Sequence, residues 1–164
     1  TRLHRRGEPV QRQPSEQRED EHGRCDGRDA RHELDELLDG GAIPLPPIRI
    51  LDFHCEITSE KNALGLYLDG RVSAVVGTHT HVVTVDERIL PRGTAYQSDL
   101  GMTGPLWSVI GFEPRTVLPR FINALPTRFE VGEGPVVFNA AQIDIDPATG
   151  RALAIERIQR LVEP

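Results

Sequence analysis

The chain of 164 residues carries 19 basic against 25 acidic side chains, a formal charge of −6, with a pI near 5.5. That length suits one domain of the usual roughly 100–200 residues, and an acidic balance without a Lys/Arg cluster excludes a scaffold held to nucleic acid through phosphates. A hydrophobic content of 38%, a mean hydropathy of −0.36 and no apolar run of about 18 residues exclude a membrane-spanning helix. The opening stretch lacks the apolar segment of a signal peptide. The two cysteines, Cys25 and Cys55, fit a reducing compartment better than a disulfide framework, so a cytoplasmic location is expected.

Residues 1–32 form a polar, Arg-rich leader. Between Thr1 and Asp35 there are eight Arg, nine Asp/Glu and no Lys, with Leu3, Val10, Cys25, Ala30 and Leu34 as the apolar residues. Such a segment cannot bury enough surface to offset its ordering entropy and reads as disordered. From Glu33 the pattern changes: Leu34, Leu37 and Leu38 have helical spacing, and Gly40-Gly41 ends the run. Pro44, Pro46 and Pro47 prevent regular structure until Ile48. Ile48 to His54 then reads as a buried strand. A helix follows, capped by Thr58 or Ser59, with Ala63, Leu64, Tyr67 and Leu68 as its apolar stripe and Gly70 closing it. Val72 to Gly77 is a second buried strand, which makes a β-α-β unit with a parallel pair and a right-handed crossover.

Beyond this unit the pattern shortens. Gly93 to Ser98 reads as a strand, Gly101 to Ser108 as a loop, and Thr116 to Ala124 as a helix. Phe129 to Val131 reads as a short strand, and Pro135 to Ile145 and Ala152 to Ile158 as a hairpin around Asp146-Pro147-Ala148-Thr149-Gly150. Alternating elements followed by antiparallel strands define an α/β layer with an added antiparallel sheet.

Three histidines fall at the C-terminal ends of the two buried strands: His54 after the first, His79 and His81 after the second. In open α/β sheets that edge binds ligands. The i, i+2 spacing of His79 and His81 sends both rings to one side of an extended chain, within reach of one metal or two adjacent ones. Gly77 leaves room for backbone to approach, and Asp52 shares a strand face with His54. The spacing alone also fits hydrogen-bonded structural histidines. Cys55 alternates away from His54 and reads as a small buried hydrophobe. The segment Gly101-Met102-Thr103-Gly104 either offers backbone N–H groups to a substrate or is an ordinary connection, while Trp107 and Phe112 read as core anchors for it. No GxGxxG, Walker or GxSxG motif occurs, which removes dehydrogenase, P-loop and serine-hydrolase readings.

The blocks Asp52-Phe53-His54-Cys55-Glu56-Ile57-Thr58-Ser59-Glu60-Lys61, Val72 to His81 ending in Gly77-Thr78-His79-Thr80-His81, and Asp99 to Pro105 occur in that order. From about residue 33 onward they make the chain similar to the C-terminal half of a bacterial calcineurin-like metallophosphoesterase family, the 2′,3′-cyclic-nucleotide 2′-phosphodiesterases. The resemblance implies a four-layer α/β sandwich around two divalent metal ions, Fe or Mn, hydrolysing small phosphodiesters such as cyclic nucleotides with metal-activated water. It implies His54 and His79 on one ion and His81 on the other. The family's remaining ligands and its general-acid histidine belong to an N-terminal half with no counterpart between Thr1 and Asn62. The expectation is therefore an incomplete copy with no catalytic residue of its own, 33–164 being the C-terminal half of the domain. A non-catalytic remnant or a mononuclear metal-binding module is the alternative. An unpaired sheet edge would favour homo-oligomers.

Overall fold

The computed structural model describes residues 27–41 and 44–163. The elements in chain order are α1 (Gly27–Asp39), β1 (Ile50–His54), α2 (Thr58–Tyr67), β2 (Ala74–Thr78), β3 (Arg88–Ile89), β4 (Ala95–Gln97), β5 (Gly104–Pro105), α3 (Pro114–Asn123), β6 (Val136–Ile145) and β7 (Ala152–Val162). They form two sheets, one of four strands in the order β1-β2-β4-β3 and one of three in the order β5-β6-β7. The mixed α/β class expected from the sequence is present.

The first sheet is built on the expected β-α-β unit. β1 pairs in parallel with β2, Ile50 opposite Ala74 and His54 opposite Thr78. β2 pairs in parallel with β4, and β3 closes the far edge antiparallel. That register places His54 and Thr78 side by side at the C-terminal end of the strands. One face of the sheet carries Phe53, Val75 and Tyr96 against Leu64 of α2 and Leu68, which caps that helix. Each such side chain, removed from water, contributes about 1.5–3 kcal/mol. The other face is lined by Ala74 and Ala95, which meet Ala152, Ile143 and Ile155 of the second sheet. Small residues at that contact let the two sheets approach closely.

Several expectations need correction. Residues 1–26 of the leader lie outside the described residues, but its last six residues are helical, because α1 opens at Gly27 rather than at Glu33. Two i, i+4 pairs support the early start, Arg31–Asp35 at 3.2 Å and His32–Glu36 at 3.6 Å. Ala30, Leu34 and Leu38 dock it against the core, an anchor that composition counts do not register. β1 is not a buried strand: among the described residues it has a partner on one side, and Ile50 is 60% exposed. No Thr58 or Ser59 side chain caps α2, whose N-cap is Ile57.

The buried face of α2 is Lys61, Leu64 and Gly65, continued by Leu68, while Ala63 and Tyr67 point outward. Phe129 to Val131 contributes an isolated bridge between Val131 and Phe112 rather than a strand. Trp107 is not a core anchor, being 72% exposed, whereas Phe112 packs on Phe129 with ring centroids 5.2 Å apart. No described helix is long and apolar enough to cross a membrane.

Candidate metal centre

The three histidines lie exposed at the C-terminal edge of the first sheet. His54 is the last residue of β1, and the other two follow β2 in a turn with unusual backbone. His79 has φ 116° and His81 φ 64°, conformations that side chains other than Gly adopt at a cost of order 1–3 kcal/mol and that persist where the surroundings impose them.

The hydrogen bonds determine which ring nitrogens are free to accept. Thr78 Oγ1 donates its one proton to Asp52 Oδ1 at 2.8 Å. It must therefore accept from His54 Nδ1, 3.0 Å away, which leaves His54 Nε2 with a bare lone pair. His79 Nδ1 donates to that lone pair at 3.0 Å, the rings meeting edge to face with centroids 4.8 Å apart. His81 Nδ1 lies 2.8 Å from the carbonyl oxygen of Ile110, an atom that only accepts, so His81 donates there and its Nε2 is likewise a lone pair. A ring whose second nitrogen is tied to a carboxylate relay or a carbonyl is the usual arrangement of a metal-ligating histidine.

The structure thus joins His54 to His79, while His81 is held by the carbonyl of Ile110. Among the described residues no group of three His, Cys, Asp or Glu side chains is placed to hold one ion. Two imidazole nitrogens bound to one ion at about 2.1 Å each stand roughly 3.0–3.4 Å apart, so exchanging the proton shared by His54 and His79 for a cation needs only a small opening of the pair.

Two supports of the site were not read from the sequence. The first is the loop carrying Ile110: Ser108 Oγ donates to Pro105 O at 2.6 Å and accepts from Gly111 N at 2.9 Å. It holds a turn in which Ile110 has φ 47° and its carbonyl meets His81. The second is Asp99, fully buried. Its Oδ2 accepts from Lys61 Nζ at 2.8 Å and from Thr80 N at 3.0 Å, and its Oδ1 from Gly101 N at 2.8 Å. Burial alone would push this carboxyl up, but the bonds from Lys61, Thr80 and Gly101 outweigh it and hold the group below its ordinary value.

The segment Gly101 to Gly104 lies beside the histidines, since Met102 N donates to His81 O at 3.2 Å. Its amides are partly committed: Gly101 N to Asp99, Met102 N to His81, while Gly104 pairs with Val137 across β5 and β6. Cys55 is buried as expected, in the core beneath α2.

The Thr78 hydroxyl gives a direct check of the relay. Thr78→Val keeps the shape, removes two exposed hydrogen bonds, to Asp52 and from His54, each of about 1 kcal/mol or less, and frees the His54 ring to change tautomer. Manganese affinity measured by calorimetric titration is expected to fall by about 10–100-fold with little change in melting temperature. Unaltered affinity would remove Thr78 from the site.

The chain belongs to the YmdB-like protein family, which it matches over residues 28–158. Among its relatives, the 2′,3′-cyclic-nucleotide 2′-phosphodiesterase of Bacillus subtilis is 55% identical over 124 residues, 76% of this chain and 47% of that protein. A crystal structure of a hypothetical protein from Thermus thermophilus superposes with a TM-score of 0.74 at 44% identity, covering 81% of this chain and 50% of the other. A crystal structure of a novel phosphatase from Mycoplasma pneumoniae gives 0.74 at 37% identity, covering 80% and 46%. The chain spans about half the length of the relatives it matches.

Proposed function

We propose that this chain supplies the histidine side of a dinuclear metallophosphoesterase centre that hydrolyses small phosphodiesters, with 2′,3′-cyclic nucleotides as the substrate class. The observation that carries the proposal is the protonation order of the rings. His54 and His81 each donate Nδ1–H to a fixed acceptor, which makes Nε2 the accepting nitrogen of each neutral ring, and His79 is hydrogen-bonded to the Nε2 of His54. On this reading His54 and His79 hold one divalent ion, Fe or Mn, and His81 the second. When bound, two such cations lower the pKa of water and neutralise charge on the phosphate oxygens.

The chain's own residues do the placing. Asp52 and Thr78 orient His54, Ile110 orients His81, and the committed amides of Gly101 and Met102 tie the neighbouring segment to the histidine turn. Residues 33–164 are then the C-terminal half of a four-layer sandwich of cytoplasmic location, whose other half supplies the remaining oxygen ligands. The names of the relatives support the phosphodiester chemistry.

The test is turnover of bis-p-nitrophenyl phosphate and of a 2′,3′-cyclic nucleotide with added Mn²⁺ or Fe²⁺. Three samples are compared: this chain, a chimera in which it replaces the matching segment of the Bacillus relative, and that chimera with His79→Ala. Metal-dependent turnover in the chimera is expected, falling by more than about 100-fold in the variant, since a direct ligand outweighs the 10–100-fold of its supporting residues. A chimera whose turnover is indifferent to His79→Ala would refute the assignment.

A further inference from the structure

We infer that the buried Lys61–Asp99 pair is a positioning device for the histidine turn, holding His79 and His81 in the backbone conformation that aims their rings; the inference rests on the metal-site reading above. Thr80 lies between the two strained histidines, and its N–H is held by Asp99 Oδ2 at 3.0 Å. The same carboxylate reaches forward to Gly101 N at 2.8 Å, so a single side chain ties the turn after β2 to the segment after β4. Lys61 supplies its counter-charge from α2 at 2.8 Å, with both side chains 2% exposed.

A lysine on the buried face of a helix is costly unless paired, and here it is aimed across the sheet rather than toward solvent. Its stem crosses Gly77, where a Cβ would stand 2.9 Å from Lys61 Cδ. The side-chain hydrogen bonds of Lys61 and Asp99 run to each other and to Thr80 N and Gly101 N, none to a histidine ring, so both act through Thr80. A buried ion pair is weak evidence of stabilisation, because an apolar pair of similar volume often serves the fold as well. What an apolar pair cannot do is accept the Thr80 and Gly101 N–H groups.

That difference separates positioning from packing. The double variant Lys61→Met/Asp99→Leu is expected to fold and to melt below the wild type by roughly 5–15 °C, because the apolar replacement of the charges is itself near neutral while the Thr80 and Gly101 N–H groups lose their acceptor. By NMR without metal, its Thr80 amide is expected to exchange at least tenfold faster, and the backbone couplings of His79 and His81 to leave their positive-φ values. Its Mn²⁺ affinity, titrated with the metal alone, is expected to fall by about 10–100-fold. Asp99→Asn, which keeps the shape and one acceptor oxygen, is expected to move the same signals in the same direction by less, and it decides the matter if the double variant does not fold.

Unchanged Thr80 exchange and unchanged histidine couplings overturn the inference, whatever the melting temperature. If the wild-type chain binds no Mn²⁺, the metal-site reading of this chain fails, while the metal-free signals still decide whether the pair positions the turn.

Discussion

Lys61→Met on its own is expected to destabilise the protein by about 3–5 kcal/mol, because it removes one partner of a buried pair and leaves the other charge uncompensated. In the wild type the ammonium stands 2.8 Å from Asp99 and both side chains are closed off from water. Methionine fills much of the same volume, so the loss is electrostatic rather than a cavity. The effect carries a signature in pH. Asp99 titrates below the ordinary 3.8 in the folded protein, so its contribution is present above the unfolded value and is lost as pH falls through the folded one. Without the ammonium, burial weighs more heavily and the carboxyl titrates at higher pH than in the wild type. The stability gap between wild type and variant is therefore widest near neutrality and narrows on acidification, as Asp99 becomes protonated in both. Urea denaturation at pH 7 and pH 4 checks this. A gap independent of pH would mean that Lys61 acts through packing alone.

The same residue shows where sequence reasoning reached and where it stopped. The β-α-β unit was legible because Val72 to Gly77 is an unbroken branched and small run, because Pro44, Pro46 and Pro47 punctuate the chain before the first strand, and because Gly70 closes the helix. The histidine edge was legible from a general rule about the C-terminal ends of parallel strands. The pairing of His54 with Thr78 in the register shows why the rule worked here. Lys61 was not legible, because a charged side chain is assigned by default to the solvent face, and the α2 stripe was accordingly read one step round the helix. The available signal was spacing: Lys61, Leu64, Gly65 and Leu68 recur at i, i+3, i+4 and i+7, one face of a helix.

Other misses share a different cause. The Ile110 carbonyl that orients His81 is a backbone atom, and no residue type advertises it. The exposure of Ile50 depends on which strands lie beside β1, and a run of apolar residues does not specify its neighbours. The start of α1 at Gly27 depends on docking by Ala30, Leu34 and Leu38, a tertiary contribution that composition over a window averages away.

Gly77→Ala is the second substitution with a large expected effect, and its cause is a lack of space. The position lies within β2, fully enclosed, with no positive φ to demand glycine. A Cβ there would fall inside the van der Waals radius of the Ser98 carbonyl oxygen and press on Lys61 Cδ at 2.9 Å. The lysine stem has little freedom to yield, because its end is held by Asp99, and the carbonyl belongs to backbone next to β4. The methyl group can be admitted only by separating β2 from the chain beyond β4, which would disturb the bond from Leu100 N to Gly77 O, 2.8 Å long. Overpacking of this kind costs about 1–3 kcal/mol, and contact with backbone places this case near about 3 kcal/mol. For a chain of this size that corresponds to a fall of roughly 10 °C in melting temperature, measurable by calorimetry. The same displacement moves Asp99 away from Thr80. The Thr80 amide is therefore expected to lose protection in Gly77→Ala well below the melting transition. A variant with wild-type melting and an undisturbed Thr80 amide would show that the sheet yields there without cost.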